Sequence, residues 1–129
     1  MRVYNKWHSM IKKELKKMNL THPQFVVLAS LAYLSQDSNE VTQVMISKLA
    51  GIDVMTVSQI LNLLEKNDFV KRKEHSRDTR AKAVILNKKG EEILQKAVPL
   101  VEQIDEIFFE KLNTDEGQFK HFLVRLNEE

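Results

Sequence analysis

The chain has no cysteine in its 129 residues, which excludes disulfides, thiolate metal ligation and thiol redox sensing. Its three glycines, Gly51, Gly90 and Gly117, are isolated from one another, so there is no glycine-rich loop of the kind that cradles phosphates. No apolar run is long enough for a membrane span or a signal-peptide core. The opening stretch MRVYNKWHSMIKKELKK is broken by charge every few residues and reads as a helix of a cytoplasmic protein without membrane contact. His8, His22, His75 and His121 are scattered, with no HExxH and no near pair on one helix face. They read as surface or capping groups, and neither a metal nor another cofactor is expected. No nucleophile and base suggest themselves, so the chain is not expected to be an enzyme.

What is present is ordinary in amount and uneven in placement. Hydrophobic residues make up 43% and charged residues 29%, as in a globular domain, taken here as one unit over residues 1–129. The net charge of +2 conceals a division. From Lys66 to Gly90 nine basic residues face three acidic ones, an excess of six positive charges; from Glu91 to Glu129 four basic face ten acidic, an excess of six negative. The basic block points to a polyanionic partner, although a solvated charged surface would look the same from charge alone.

Periodicity supplies the layout. Val3, Trp7, Met10, Ile11, Leu15 and Met18 recur at helical spacing. Thr21, Pro23 and Gln24 form a capping-box start to a helix through Leu34 that is apolar nearly all round and should be the most buried. After the polar SQDSNE loop, Thr42 opens a short helix to Ala50, Gly51 turns the chain, and Ile52 plugs the turn into the core. Asp53 or a neighbour caps the next helix, over about 53–67, with Val57, Ile60, Leu61 and Leu64 inward. Two β-prone runs follow, Phe69–Glu74 and Lys82–Leu86, around the tip HSRDTRA. Asn87 is the expected cap of a long helix to about Leu112. Its Ile93, Ala97, Leu100, Ile104 and Ile107 or Phe108 form a coiled-coil-like seam, and Pro99 should kink it. A last helix is expected from Thr114. The fold class is thus mainly α with a small β-hairpin wing. A winged helix-turn-helix over 42–86, with its wing at about 69–86, lies between helical arms at 1–20 and 91–129.

Candidate site residues follow from the chemistry of these surfaces. Thr56, Ser58, Gln59 and Asn62 lie off the inward face of the second helix, where amides and hydroxyls can meet base edges and phosphates. The hairpin carries Lys71, Arg72, Lys73, His75, Arg77 and Arg80 with no core to serve. Asp78 is close enough to Arg80 to hold its guanidinium for a narrow minor groove. Tyr4, Trp7, Phe25 and Tyr33 could line a ligand pocket, although aromatics at helical spacing are more often core.

Leu49-Ala50, the turn, the run Leu63-Leu64-Glu65-Lys66-Asn67-Asp68-Phe69-Val70, then Arg72, Asp78, Arg80-Ala81-Lys82, Leu86 and Gly90 resemble the MarR family of bacterial transcriptional regulators. The resemblance implies a homodimer whose first and last helices interlock, each subunit offering one winged helix to a pseudo-palindromic operator in double-stranded DNA. It implies base reading from Thr56, Ser58, Gln59 and Asn62, minor-groove insertion by Arg80 oriented by Asp78, and most often repression, with a small-molecule effector as an optional addition. Leu63, Asp68 and Asn87 depart from the family pattern, where a basic residue, glycine and threonine are common. The rival expectation is a winged-helix module that binds protein, with the Phe-rich C-terminal helices as its surface.

Overall fold

The computed structural model describes the backbone of residues 2–78 and 80–110 and the side chains between Asn5 and Glu106, Thr79 excepted. The expected final helix from Thr114 lies outside the described residues, as do the side chains of Tyr4, Ile107 and Phe108.

Five helices and a small sheet follow one another: α1 (Arg2–Lys16), α2 (His22–Ser35), β1 (Val41–Thr42), α3 (Gln43–Ala50), α4 (Val54–Lys66), β2 (Val70–Glu74), β3 (Lys82–Leu86) and α5 (Lys88–Glu110). The starts are set by local hydrogen bonding. Thr21 accepts the Gln24 N–H at 3.2 Å while the Gln24 side chain accepts the Thr21 N–H at 3.1 Å, closing the expected box. Thr42 repeats the arrangement with Met45, whose sulfur stands in for the usual amide. Asp53 is the cap of α4, accepting the Thr56 N–H at 3.1 Å.

The turn between α3 and α4 bends the pair by 110°. Gly51 makes it at φ 71°, in the left-handed region open to glycine. Its N–H and that of Ile52 both donate to the Ser47 carbonyl, and the Ser47 hydroxyl donates to the Ile52 carbonyl at 2.5 Å. Ile52 packs on the core as expected. The apolar faces of α1, α3, α4 and α5 converge on α2, where Val27, Leu28 and Leu31 are fully buried with Ile11, Leu15, Ile46, Val57, Leu61 and Leu64.

The sheet differs from a bare hairpin. β1 adds a third strand in the order β1-β3-β2, with Val41 opposite Val84 and Thr42 opposite Ala83. Sequence reading missed it because Thr42 serves both as strand residue and as the α3 cap, leaving no run long enough to show alternation.

Two further differences concern α5. Its buried face is Leu94, Ala97 and Ile104, turned onto its own α1 and α2, while the helix itself continues through Pro99 as the sequence suggested. Part of the expected seam is therefore an intrachain contact, leaving Ile93 and Leu100 half-buried. Asn87 occupies the cap position of α5, its carbonyl accepting the Glu91 N–H, but its side-chain amide donates instead to the backbone carbonyl and carboxylate of Asp68. That clip explains how Asp68 tolerates φ 64° where glycine is usual.

Candidate nucleic-acid interface

Helix α4 exposes its outer face because Val57, Ile60, Leu61 and Leu64 take the inner one. At four-, three- and four-residue spacing the outermost stripe is Met55, Gln59, Asn62 and Lys66, all exposed. Gln59 and Asn62 were anticipated. Met55 was not, although it is 75% exposed in the first turn, the part of such a helix best placed for base edges. A helical projection of the sequence identifies it, but an apolar side chain is not among the amides and hydroxyls that the groove chemistry singled out. Thr56 and Ser58 flank the stripe and are half-buried. The Thr56 hydroxyl donates to Asp53 at 2.5 Å, so its first duty is to the helix cap. That hydrogen bond and the backbone one from Thr56 hold the Asp53 carboxyl below its ordinary pKa.

The wing extends from this helix as a basic arm. Strand β2 alternates: Val70 is buried, Lys71 and Lys73 face solvent, and Arg72 turns inward. Arg77 and Arg80 are exposed at the tip, Arg80 with 93% of its side chain free. One oxygen of Asp78 accepts the Arg80 backbone N–H at 3.0 Å and lies 3.5 Å from its Nε, so the acid orients both the tip backbone and the guanidinium.

Two wing residues take roles other than those expected of them. Arg72 is only 13% exposed along its side chain. Its guanidinium donates to Gln43 Oε1 at 3.1 Å, to Glu65 Oε1 at 3.0 Å and to Asn62 Oδ1, while its backbone N–H donates to Glu65 Oε2 at 3.2 Å. It is a latch joining wing, α4 and α3. His75 is folded back in the same manner. Its Nε2 sits 2.8 Å from Glu40 Oε2, and its Nδ1 accepts the N–H groups of Arg77 and Asp78. With Nδ1 accepting, the proton is on Nε2, where it ties the wing tip to the segment before β1. Glu40 also accepts the Ser76 N–H, and its carboxyl is held below its ordinary pKa chiefly by Ser76.

Glu65 titrates below an ordinary glutamate, first because the Arg72 guanidinium hydrogen-bonds its carboxylate and then through the charge of Arg72. A depressed folded pKa gives stability that is present above the unfolded value and lost as pH falls through the folded one. Melting of the wild type is therefore expected to fall more steeply across the acid side of the carboxylate range than melting of Glu65→Gln. Parallel pH dependences of the two proteins would contradict the latch.

Of the four aromatics, Tyr33, Phe25 and Trp7 sit in different surroundings, and the side chain of Tyr4 lies outside the described residues. Tyr33 is 62% exposed, since α2 is less evenly covered than its apolar composition suggested. Phe25 packs on the core, and the Trp7 indole donates to Asp105 at 2.6 Å, joining α1 to α5. Beside it His22 meets His8 with Nδ1 atoms 3.2 Å apart; burial, then His8, pull the His22 pKa down against the opposing charge of Asp105. No group of three or more His, Cys, Asp or Glu able to hold a metal occurs among the described residues. A cleft of about 360 Å³ lies elsewhere, between Met18 and Asn19, the α4 end at Asn67, Phe69, and Lys89, Glu92, Ile93 and Lys96 of α5.

Comparison with known proteins places this geometry. Residues 16–104 match the ArnR1-like winged-helix domain. The HTH-type transcriptional regulator YdcH of Bacillus subtilis is 35% identical over 103 residues, 80% of this chain and 70% of that protein. The structure of Bordetella bronchiseptica BpsR, whose DNA binding is regulated by 6-hydroxynicotinic acid, superposes with a TM-score of 0.81 at 26% identity, over 99% of this chain and 94% of that one. Escherichia coli MarR complexed with operator DNA gives a TM-score of 0.82 over 96% and 86% of the two chains, a likeness of fold at 23% identity.

Proposed function

The chain belongs to the ArnR1-like winged-helix family, among transcriptional regulators of the MarR type, and from that premise we propose how it works: a homodimer binds a pseudo-palindromic operator and represses the promoter that the operator overlaps. The observation that carries this reading is the continuity of one surface. Arg72 bolts the wing to Asn62 and Glu65 of α4, so the outer stripe of the recognition helix and the cations Lys71, Lys73, Arg77 and Arg80 move as one body. Gln59 and Asn62, flanked by Met55, Thr56 and Ser58, enter the major groove, and Arg80 enters the flanking minor groove. Lys73 and Arg77 meet phosphates, as does Lys71.

Two copies per operator require pairing through residues 1–20 and 91–129, with the half-buried Ile93 and Leu100 as contributors from α5. Sedimentation is expected to give twice the 15.1 kDa subunit mass; a clean monomer at micromolar concentration overturns the dimer. An effector, as for BpsR, acts by changing the separation of the two recognition helices through α5, since both half-sites must be engaged together.

Retention of promoter duplex across a salt series tests the function. Three phosphate-meeting cations in each of two subunits predict a slope of about −5 in log affinity against log salt. Absence of any retained duplex at low salt refutes DNA binding.

A further inference from the structure

Every hydrogen on a guanidinium is a donor, and Arg72 has no accepting atom. Whichever end of the Asn62 amide meets Arg72 must therefore be its oxygen, and the same holds for Gln43. This fixes the amide orientation by chemistry rather than by the fit of atoms that look alike. We propose that Arg72 is a positioning residue that turns the Asn62 amide to read the operator chiefly as a donor, favouring guanine through its N7 and O6 acceptors over bidentate pairing with adenine.

The proposal rests on the reading of α4 as the recognition helix. Bidentate pairing with adenine needs both ends of an asparagine amide: the oxygen accepts the N6 hydrogen while the NH2 donates to N7. Here the oxygen is already held in a corner where Arg72 is largely buried. An adenine N6–H brought to it would lie against guanidinium hydrogens of like polarity. Arg72 takes one lone pair of that oxygen and sets its positive charge beside the other, so the NH2 group, which requires acceptors, is the better placed to meet a ligand. Guanine offers two on one major-groove edge, so both amide hydrogens can be used. Glu65 completes the device. Its carboxylate takes Arg72 on both sides, through the backbone N–H and the guanidinium, which keeps Arg72 in place and removes a free negative charge from the DNA-facing helix. Gln43, at the first turn of α3, is restricted in the same way, its NH2 suited to a phosphate oxygen.

The experiment selects operators from a random duplex pool with the wild type and with Asn62→Ala, and identifies the position whose preference disappears in the variant. Affinities are then measured for duplexes carrying each base pair there, and for one carrying 7-deazaguanine. The wild type is expected to prefer guanine over adenine by about tenfold, and 7-deazaguanine to lose most of that preference. Asn62→Asp keeps an oxygen for Arg72 but has no donors, and is expected to lose the guanine preference with melting unchanged. Arg72→Met frees the Asn62 oxygen and is expected to bring adenine to within about twofold of guanine, a change of preference that simple loosening of the wing does not produce. Selection of adenine by the wild type, or a guanine preference that survives both Asn62→Asp and 7-deazaguanine, overturns the proposal while leaving DNA binding intact. Failure to enrich any duplex removes the recognition-helix reading itself, and this inference with it.

Discussion

Arg80→Ala is expected to weaken operator binding by about tenfold or more, with the largest loss on operators whose flanks are A·T-rich. The side chain is 93% free and makes no contact that supports the fold beyond its 3.5 Å approach to Asp78, so melting should be unchanged. Asp78→Ala separates charge from orientation. It removes a negative charge from the wing, so a purely electrostatic tip would bind more tightly. The structure predicts weaker binding, because the same carboxylate oxygen holds the Arg80 backbone N–H and approaches its Nε. Equal losses on all flanking sequences for Arg80→Ala, or tighter binding by Asp78→Ala, would remove wing insertion from the account.

Gly90→Ala is expected to destabilise the protein by about 3 kcal/mol, at the upper end of the overpacking range. A Cβ at Gly90 would overlap the Phe69 carbonyl oxygen and lie 2.7 Å from Leu86 Cδ1. That carbonyl cannot retreat, since it accepts the Asn87 N–H at 2.9 Å where the wing returns to α5. The helix gains at most about 1 kcal/mol in propensity from alanine, so the clash dominates. Gly51→Ala is the comparison. Nothing lies within 4 Å of its would-be Cβ, and only the left-handed φ of 71° opposes the change, at about 1–2 kcal/mol. Thermal denaturation at one fixed protein concentration checks both, since the proposed dimer would make melting concentration-dependent. Gly90→Ala melting no lower than Gly51→Ala would contradict the close approach of α5 to the wing base.

Features legible in the sequence were those whose cause is local. The Thr21–Gln24 box, the Gly51 turn, the apolar period of α4 and the β-prone runs of the hairpin each depend on neighbours within a few residues. β1 escaped because its pairing with β3 is distant and its two residues have no period of their own. The charge count identified a basic wing but could not tell a solvated cation from one surrounded by acceptors. Arg72 is held by groups from α3 and α4, and only the alternation of β2 hinted that it faced inward. His75 was likewise taken for a wing contact because its partner, Glu40, lies in a loop before β1. The exposure of Tyr33 was not legible because composition marks a helix as apolar without saying which residues its neighbours reach.

Hydroxyl-radical footprinting of the full chain on its selected operator tests the central claim most directly. Two half-sites should be protected one helical turn, about 10 base pairs, apart in major-groove contacts. Protected minor-groove flanks should lie outside them, and these should become reactive again in Arg80→Ala while the half-sites persist. A single protected half-site, or flanks left reactive by the wild type, would contradict a dimer that reads the major groove with α4 and the minor groove with its wing.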